Sequence, residues 1–206
     1  MKINRLAVRL CMCALVLFRA LSLYADGKGS ISRKMIHMAG IDVKPAYPTH
    51  EFFAGNNATF SPIRKNLSVH LKYGFKFAPD TYFGRMYPHA VQGIGVGYNT
   101  FFHSSELGNP WSVYAFQTSR IASLTPRLSL DYEWNFGASF GWKKYDAESN
   151  PYNRVVGSKM NAYIHLSFLM NWQLDAQTHL RAGIGATHFS NGTTAYPNAG
   201  ENTLGA

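Results

Sequence analysis

The segment that decides the fold is Leu128–Trp142, with the sequence LSLDYEWNFGASFGW. Every even-numbered residue in it is apolar, and every odd-numbered residue is polar or glycine. Successive side chains of a β-strand point to opposite faces of the sheet, so this alternation predicts a strand with one apolar and one polar face. A helix does not produce this pattern, because its side chains repeat about every 3.6 residues.

The same alternation recurs at 160–174 on even positions and at 67–77 on odd positions. Strands of this length exceed the roughly 5 or 6 residues usual in soluble sheets and suit tilted strands that cross a membrane. We therefore predict an all-β protein that folds as an eight-stranded antiparallel outer-membrane β-barrel. Weaker alternation predicts the remaining strands at about 31–45, 91–102, 111–118 and 179–190, with an eighth starting near Asn202.

The connections between these strands differ in length, as they do in outer-membrane barrels with long outer loops and short inner turns. Asp175-Ala176-Gln177 is a tight turn, whereas 191–201 contains Asn191-Gly192 and Pro197-Asn198 and is a long loop. The predicted outer loops are 46–65, 103–110, 143–156 and 191–201, and the predicted inner connections are 78–90, 119–126 and 175–177.

Alternation alone does not say which face points outward, because a secreted lipocalin-like barrel has its apolar face inside. Strand length, an aromatic content of 15% and glycines on the polar faces favour the membrane orientation. The polar faces would then line the lumen, where charges are most simply explained as a structural network of pairs. The charged or titratable residues predicted to point inward are Arg127, Asp131, Glu133, Lys159, His165 and Arg181.

The first 25 residues read as a secretory signal peptide, which leaves 26–206 as the barrel domain. An apolar run, Leu10–Phe18, follows a basic start and precedes a passable cleavage site, and the run is too short to cross a bilayer as a helix. A buried N-terminal helix is the alternative. Both cysteines, Cys11 and Cys13, lie in this segment, so the mature chain would carry no cysteine chemistry.

The stretch with catalytic potential is His188-Phe189-Ser190-Asn191-Gly192. Even positions form the apolar face of strand 179–190, and His188 and Ser190 continue that face at the strand end. Residues two apart in a strand point the same way, so a histidine base could stand beside a serine nucleophile. Polar residues are also common where a membrane strand reaches the interface, and the pair could be no more than that.

This stretch, together with Pro197-Asn198-Ala199-Gly200-Glu201-Asn202, resembles the active-site region of the PagL family of outer-membrane lipid A deacylases. Segments 132–142 and 150–157 are similar to a longer branch of the same family. The resemblance implies an eight-stranded barrel with a Ser-His-Glu triad on its outer surface, near the lipopolysaccharide leaflet. It also implies lipid A or a related glycolipid as the substrate.

Carried over onto this chain, the resemblance makes Ser190 the nucleophile and His188 the general base. Asn191, Gly192 and Asn198 would shape the loop or help to hold the oxyanion.

The third member of the triad is a departure from the family pattern, because Asn202 stands where the resemblance implies a glutamate. The neighbouring Glu201 is the alternative acid, although strand parity places it on the lumen side and Asn202 on the outer side. An asparagine can orient an imidazole but cannot stabilise imidazolium with a full charge.

Two other functional classes stay open at this point. One is a structural or adhesion barrel without enzymatic activity, and the other is a soluble barrel that binds an apolar ligand inside. The histidines show no metal-ligand spacing, so we predict no metal and no cofactor. Removal of the signal peptide would lower the count of Lys and Arg from 20 to 16 against 11 acids, and the formal net charge from +9 to +5. A mildly basic exported chain suits an anionic membrane surface better than nucleic acid.

The eighth strand is short in this sequence, since only Asn202–Ala206 remain for it. A membrane crossing needs roughly 9 to 11 residues. We therefore expect that a barrel ending here cannot close, and that the natural protein continues beyond this C-terminus with at least one more strand.

Overall fold

A computed structural model describes residues 34–206, and the predicted signal peptide lies outside the described residues. Eight antiparallel strands pair in chain order, and the first also pairs with the last, which closes a barrel. The predicted all-β architecture is confirmed. The strands are β1 Met35–Pro48, β2 Asn66–Phe77, β3 Val91–Thr100, β4 Gly108–Thr125, β5 Leu128–Trp142, β6 Met160–Gln173, β7 His179–Ser190 and β8 Glu201–Gly205.

Strand bounds were predicted best where the alternation of apolar and polar residues is strongest. The strand β5 has the same bounds as the segment Leu128–Trp142 that opens the sequence analysis. In contrast, β4 extends to Thr125, so the predicted inner connection 119–126 is wrong and only Pro126 and Arg127 separate β4 from β5. The pairing of β4 with β5 shifts register between Arg120 and Ala122 and again between Ser123 and Thr125. Such bulges interrupt the period of two that the sequence analysis relied on.

Two short helical turns lie in the connections. A 3₁₀ turn, Glu51–Ala54, follows β1, and a helix α1, Tyr82–Met86, lies between β2 and β3 with the Thr81 hydroxyl accepting from Gly84 N at 3.0 Å. These turns are too short to show helical periodicity, so the sequence did not predict them. Among residues 34–206, no helix is long and apolar enough to cross a membrane.

The tight turn predicted between β6 and β7 is present and centres on Asp175. Its carboxylate accepts hydrogen bonds from the backbone N–H groups of Gln177 and Thr178, each at 2.8 Å. These hydrogen bonds lower the pKa of Asp175, because they stabilise the ionised carboxylate.

The barrel carries its apolar side chains on the outside and its polar side chains inside. This arrangement confirms the predicted orientation and is that of membrane barrels rather than of soluble barrels with an apolar interior. Exposed apolar residues on the wall include Ile41, Val43, Val69, Leu71, Ile94, Val96, Val113, Phe136, Ile164, Leu166, Phe168, Leu180, Ile184 and Leu204. Buried polar residues include Ser68, His70, Lys72, Ser112, Thr118, Ser129, Asp131, Glu133, Asn135, Ser139, His165, Ser167 and Thr203.

The centre of the lumen holds an ion cluster of Asp42, Lys72, Glu133 and Arg181. Lys72 Nζ lies 3.0 Å from Asp42 Oδ2 and 2.5 Å from Glu133 Oε1. Arg181 Nη1 lies 3.2 Å from Glu133 Oε2, and Nη2 lies 3.3 Å from Asp42 Oδ1. Each of these four charges therefore has a partner of opposite sign, which offsets the cost of removing it from water.

The predicted lumen charges are confirmed for Glu133 and Arg181 in the ion cluster, and for the buried Asp131 and His165. For Arg127 and Lys159, which are exposed, the inward direction stays a prediction. Arg127 lies in the β4–β5 turn and Lys159 directly precedes β6, so strand parity does not constrain either side chain.

An apolar plug closes the end of the barrel where the long loops lie. Its residues come from β4 to β7 and from the loops after β1, β3 and β5. Trp142 joins it because Gly141, at φ +89°, breaks the alternation of β5 and turns the indole inward. The plug comprises Phe52, Phe53, Ile63, Phe101, Leu107, Tyr114, Phe116, Trp142, Val155, Val156, Tyr163 and Phe189.

The expectation that the barrel cannot close is wrong. The five residues of β8 pair with β7 from Gly185 to Phe189 and with β1 from Ala46 to Pro48. Beyond the last β8 residue, no strand pairing joins β7 to β1 among the described residues, and the Arg181–Asp42 ion pair connects them there. Whether the natural protein continues with a further strand stays a prediction.

Replacing Glu133 by glutamine is expected to destabilise the barrel by about 3–5 kcal/mol, because Lys72 and Arg181 lose a buried countercharge. Urea unfolding in detergent, followed by tryptophan fluorescence, measures this. Glu148→Gln removes an exposed carboxylate with no ion pair among residues 34–206 and should change the unfolding free energy by less than about 0.5 kcal/mol. Equal unfolding free energies for both variants would contradict the structural role of the ion cluster.

Candidate active site

The end of β7 presents His188 and Ser190 outward because Phe189 between them is held inward. Phe189 is 3% exposed, and its ring centroid lies 5.0 Å from that of Trp142 and 5.5 Å from that of Tyr163. Alternation along the strand then places both neighbours on the outer face. The predicted shared face of His188 and Ser190 therefore depends on an aromatic anchor in the plug.

His188 has a defined partner on the neighbouring strand. Its Nδ1 donates to Asn202 Oδ1 at 2.8 Å, and the two residues are directly paired across β7 and β8. This hydrogen bond assigns the proton of the neutral ring to Nδ1 and leaves Nε2 as the basic nitrogen. Asn202 thus occupies the place of the residue that orients the base in a catalytic triad.

Glu201, the alternative acid, lies on the opposite face. It pairs with Phe189 in the ladder, is 0% exposed, and neither carboxyl oxygen has a hydrogen-bond partner. A carboxyl buried without a partner is favoured in its neutral form. As predicted from strand parity, Asn202 lies on the outer face and Glu201 on the lumen side. Asn202, not Glu201, contacts His188.

Ser190 Oγ accepts a hydrogen bond from Gly192 N at 3.1 Å. No hydrogen bond joins Ser190 Oγ to the His188 ring in the described part of the chain. Catalytic hydrogen bonds are often unformed before substrate binds. The structure therefore brings the two side chains to one face of one strand end without linking them directly.

The predicted loop residues have different environments. Asn191 braces the loop: its Nδ2 donates to Ala195 O at 2.8 Å and to Pro197 O at 3.3 Å, while its Oδ1 accepts from Thr193 N. The exposed Asn198 side chain has no hydrogen-bond partner within 34–206, so its amide is free to donate. Of the two asparagines, Asn198 is the one with an available donor for an oxyanion.

Gly200 is a site residue that the sequence analysis missed. Its φ is +73°, and a Cβ there would lie 2.9 Å from Phe189 O and 3.1 Å from His188 Cε1. The loop can therefore return against the imidazole only without a side chain at this position. In the sequence, the only indication of this role is that a glycine stands just before a predicted strand. Its contact with His188 depends on the pairing of β7 with β8, which the sequence pattern does not specify.

Comparisons with known proteins gave one match. No curated protein and no solved structure matches the chain. The model of one family, lipid A 3-O-deacylase (PagL), matches residues 48–206, which include all eight of the site residues discussed above. With most of its length covered by that match, the chain belongs to the PagL family of lipid A 3-O-deacylases.

Proposed function

We propose that the protein is an outer-membrane serine esterase that removes the ester-linked acyl chain from the 3-position of lipid A. The observation that carries this proposal is the His188 Nδ1–Asn202 Oδ1 hydrogen bond on the outer face of the barrel, beside Ser190. A base with an oriented ring, next to a hydroxyl, is the arrangement that acyl transfer requires.

The location of the pair supports a lipid as the substrate. His188 and Ser190 continue the outer face that carries Leu180 and Ile184, so the site borders the apolar wall. An acyl chain lying along this wall would present its ester near the strand end without leaving the bilayer. The apolar wall and the polar lumen support the outer-membrane location.

In the proposed mechanism, Ser190 Oγ attacks the acyl carbonyl carbon while His188 Nε2 takes the hydroxyl proton. Asn202 holds the ring through Nδ1 during this transfer. When Oγ turns toward the substrate it releases Gly192 N–H, which can then stabilise the oxyanion together with the Asn198 amide. His188 delivers its proton to the departing sugar oxygen, and water hydrolyses the acyl-enzyme in a second, equivalent step.

The rival is a barrel without enzymatic activity, in which His188 and Ser190 are interfacial polar residues. Two observations favour it: an amide in place of the triad carboxylate, and no hydrogen bond between His188 and Ser190 within the described residues. Mass spectrometry of lipid A before and after incubation with the protein separates the two functions. Loss of one hydroxyacyl mass supports the esterase, and unchanged lipid A contradicts it.

Ser190→Ala and His188→Ala are each expected to abolish deacylation, because one removes the nucleophile and the other its base. Both side chains lie outside the lumen, so heat-modifiable migration on gels should persist. Ser104→Ala and His89→Ala remove the same functional groups from positions outside the strands and should retain activity. Wild-type turnover in either site variant would contradict the catalytic assignment.

Asn202→Asp is expected to raise kcat by about tenfold or more, because it keeps the shape of the side chain and adds a charge that stabilises imidazolium. The charge also makes His188 lose its proton at a higher pH, so the acidic limb of the pH–rate profile should move upward. Glu201→Gln, on the lumen side, should leave the profile unchanged. Loss of activity in Glu201→Gln with no gain in Asn202→Asp would assign the triad acid to Glu201.

Gly200→Ala is expected to lower kcat at least tenfold, because the new methyl group would displace the imidazole from its position against Asn202. Gly55→Ala is the matched control, since it also has a positive φ but its Cβ would meet no atom closer than 3.8 Å. Both variants should lose about 1–2 kcal/mol of stability from backbone strain. Equal activity in the two variants would show that Gly200 does not position His188.

A further inference from the structure

A pocket of about 330 Å³ lies at the loop end of the barrel, beside the start of β2 and the end of β3. This volume falls at the lower end of the range for small-molecule sites, which is about 300–1,000 Å³. The lining combines hydroxyl groups, two cationic side chains and aromatic rings. Its residues are Thr59, Ser61, Pro62, Ile63, Arg64, Lys65, Phe101, Phe102 and His103.

The charge of the pocket is not neutralised by the protein. Arg64 and Lys65 are exposed, and neither forms an ion pair with a carboxylate in the described part of the chain. Glu106, the carboxylate that reaches this region, is already held by His103 Nε2 at 2.5 Å and by Ala58 N at 3.0 Å. Two adjacent cations without a counterion fit an anion, and a guanidinium matches the geometry of phosphate.

Exposed aromatic rings lie at and beside the pocket. Phe102 lines it, and Phe60 lies in the chain between the lining residues Thr59 and Ser61. Phe60 and Phe102 are 72% and 64% exposed and adopt φ values of +50° and +57°, which bulky residues rarely do. Exposed aromatic rings at the end of a barrel wall are typical of a membrane interface. The anion that fits this pocket therefore belongs to an amphiphile rather than to a fully soluble molecule.

The pocket lies close enough to His188 for one head group to reach both. Asn202, the partner of His188, accepts a backbone hydrogen bond from Thr49 N at 2.9 Å, directly after β1. The next strand, β2, begins at Asn66, immediately after Lys65, and pairs with β1 at Ala46. Strands lie about 4.8 Å apart, so Lys65 is roughly 15 Å from His188 along the wall.

We infer that Arg64 and Lys65 bind a phosphate group on the sugar head group of the glycolipid whose acyl ester meets Ser190. This inference rests on the proposed function and adds a second anchor point to it. A lipid held at its phosphate loses rotational freedom in the membrane plane, so its ester is presented to Ser190 in one orientation. The site selects phosphorylated over unphosphorylated glycolipids.

Binding is tested in the Ser190→Ala background, in neutral detergent micelles, with lipid A carrying its phosphates and with phosphatase-treated lipid A. The parent should bind the phosphorylated lipid at least tenfold more tightly, and Arg64→Gln/Lys65→Gln should remove that preference. The control variant Lys144→Gln/Lys159→Gln removes the same amount of charge from exposed positions outside the pocket. It should keep the preference for the phosphorylated lipid. An unchanged preference in the pocket variant, or an equal loss in the control, would overturn the inference.

Soluble glucosamine 1-phosphate separates a membrane glycolipid from a free sugar phosphate. It should bind the parent at least tenfold more weakly than the phosphorylated lipid, and equal affinity would overturn the assignment to a glycolipid. All variants must first show heat-modifiable migration, which reports an intact barrel independently of binding.

Turnover distinguishes failure of this site from failure of the proposed function. With Ser190 present, Arg64→Gln/Lys65→Gln should raise KM for phosphorylated lipid A about tenfold and change kcat less than twofold. KM for the dephosphorylated lipid should not change, and an equal rise for both lipids would overturn the inference. If the wild type hydrolyses neither lipid, the esterase proposal fails, while the binding measurement still decides the phosphate site.

Discussion

The ion cluster in the lumen is the interaction on which the rest of the barrel depends. Glu133 on β5 contacts Lys72 on β2 and Arg181 on β7, and Asp42 on β1 contacts both cations. The cluster therefore crosses the lumen and joins β7 to β1, which β8 separates only at one end. Because polar side chains and ion pairs fill the middle of the lumen, most apolar side chains of the strands lie on the outer face.

Two kinds of packing then divide the barrel along its length. Charge pairs fill the middle, whereas aromatic and aliphatic side chains close the end that carries the long loops. Phe189 belongs to this plug, and its burial turns His188 and Ser190 outward. The candidate active site therefore lies on the outer surface, but the packing of Phe189 inside the barrel determines its geometry. Its position at the edge of the apolar wall suits a substrate with acyl chains.

Position 202 carries an amide, whereas the resemblance described in the sequence analysis implies a carboxylate there. An amide at position 202 gives His188 a hydrogen-bond acceptor and a defined tautomer, as a carboxylate would. It supplies no charge to stabilise the imidazolium that forms during proton transfer. If the proposed phosphate site is correct, the cations at the neighbouring pocket would contribute by limiting the orientations in which the ester meets Ser190.

Alternation in the sequence determined the fold class, the strand count and the shared face of His188 and Ser190, because parity is a local property of an extended chain. The outward direction of the apolar face was predicted from strand length, aromatic content and glycines on the polar faces, because alternation is the same for either direction. The same parity placed Asn202 on the outer face and Glu201 on the lumen side. Tertiary structure decided the rest: the turn of Trp142 inward at Gly141, the closure by a five-residue β8, and the contact of Gly200 with His188. These three features depend on the register between strands and on the loops that meet at one end of the barrel. An alternation of apolar and polar residues along a single strand specifies neither.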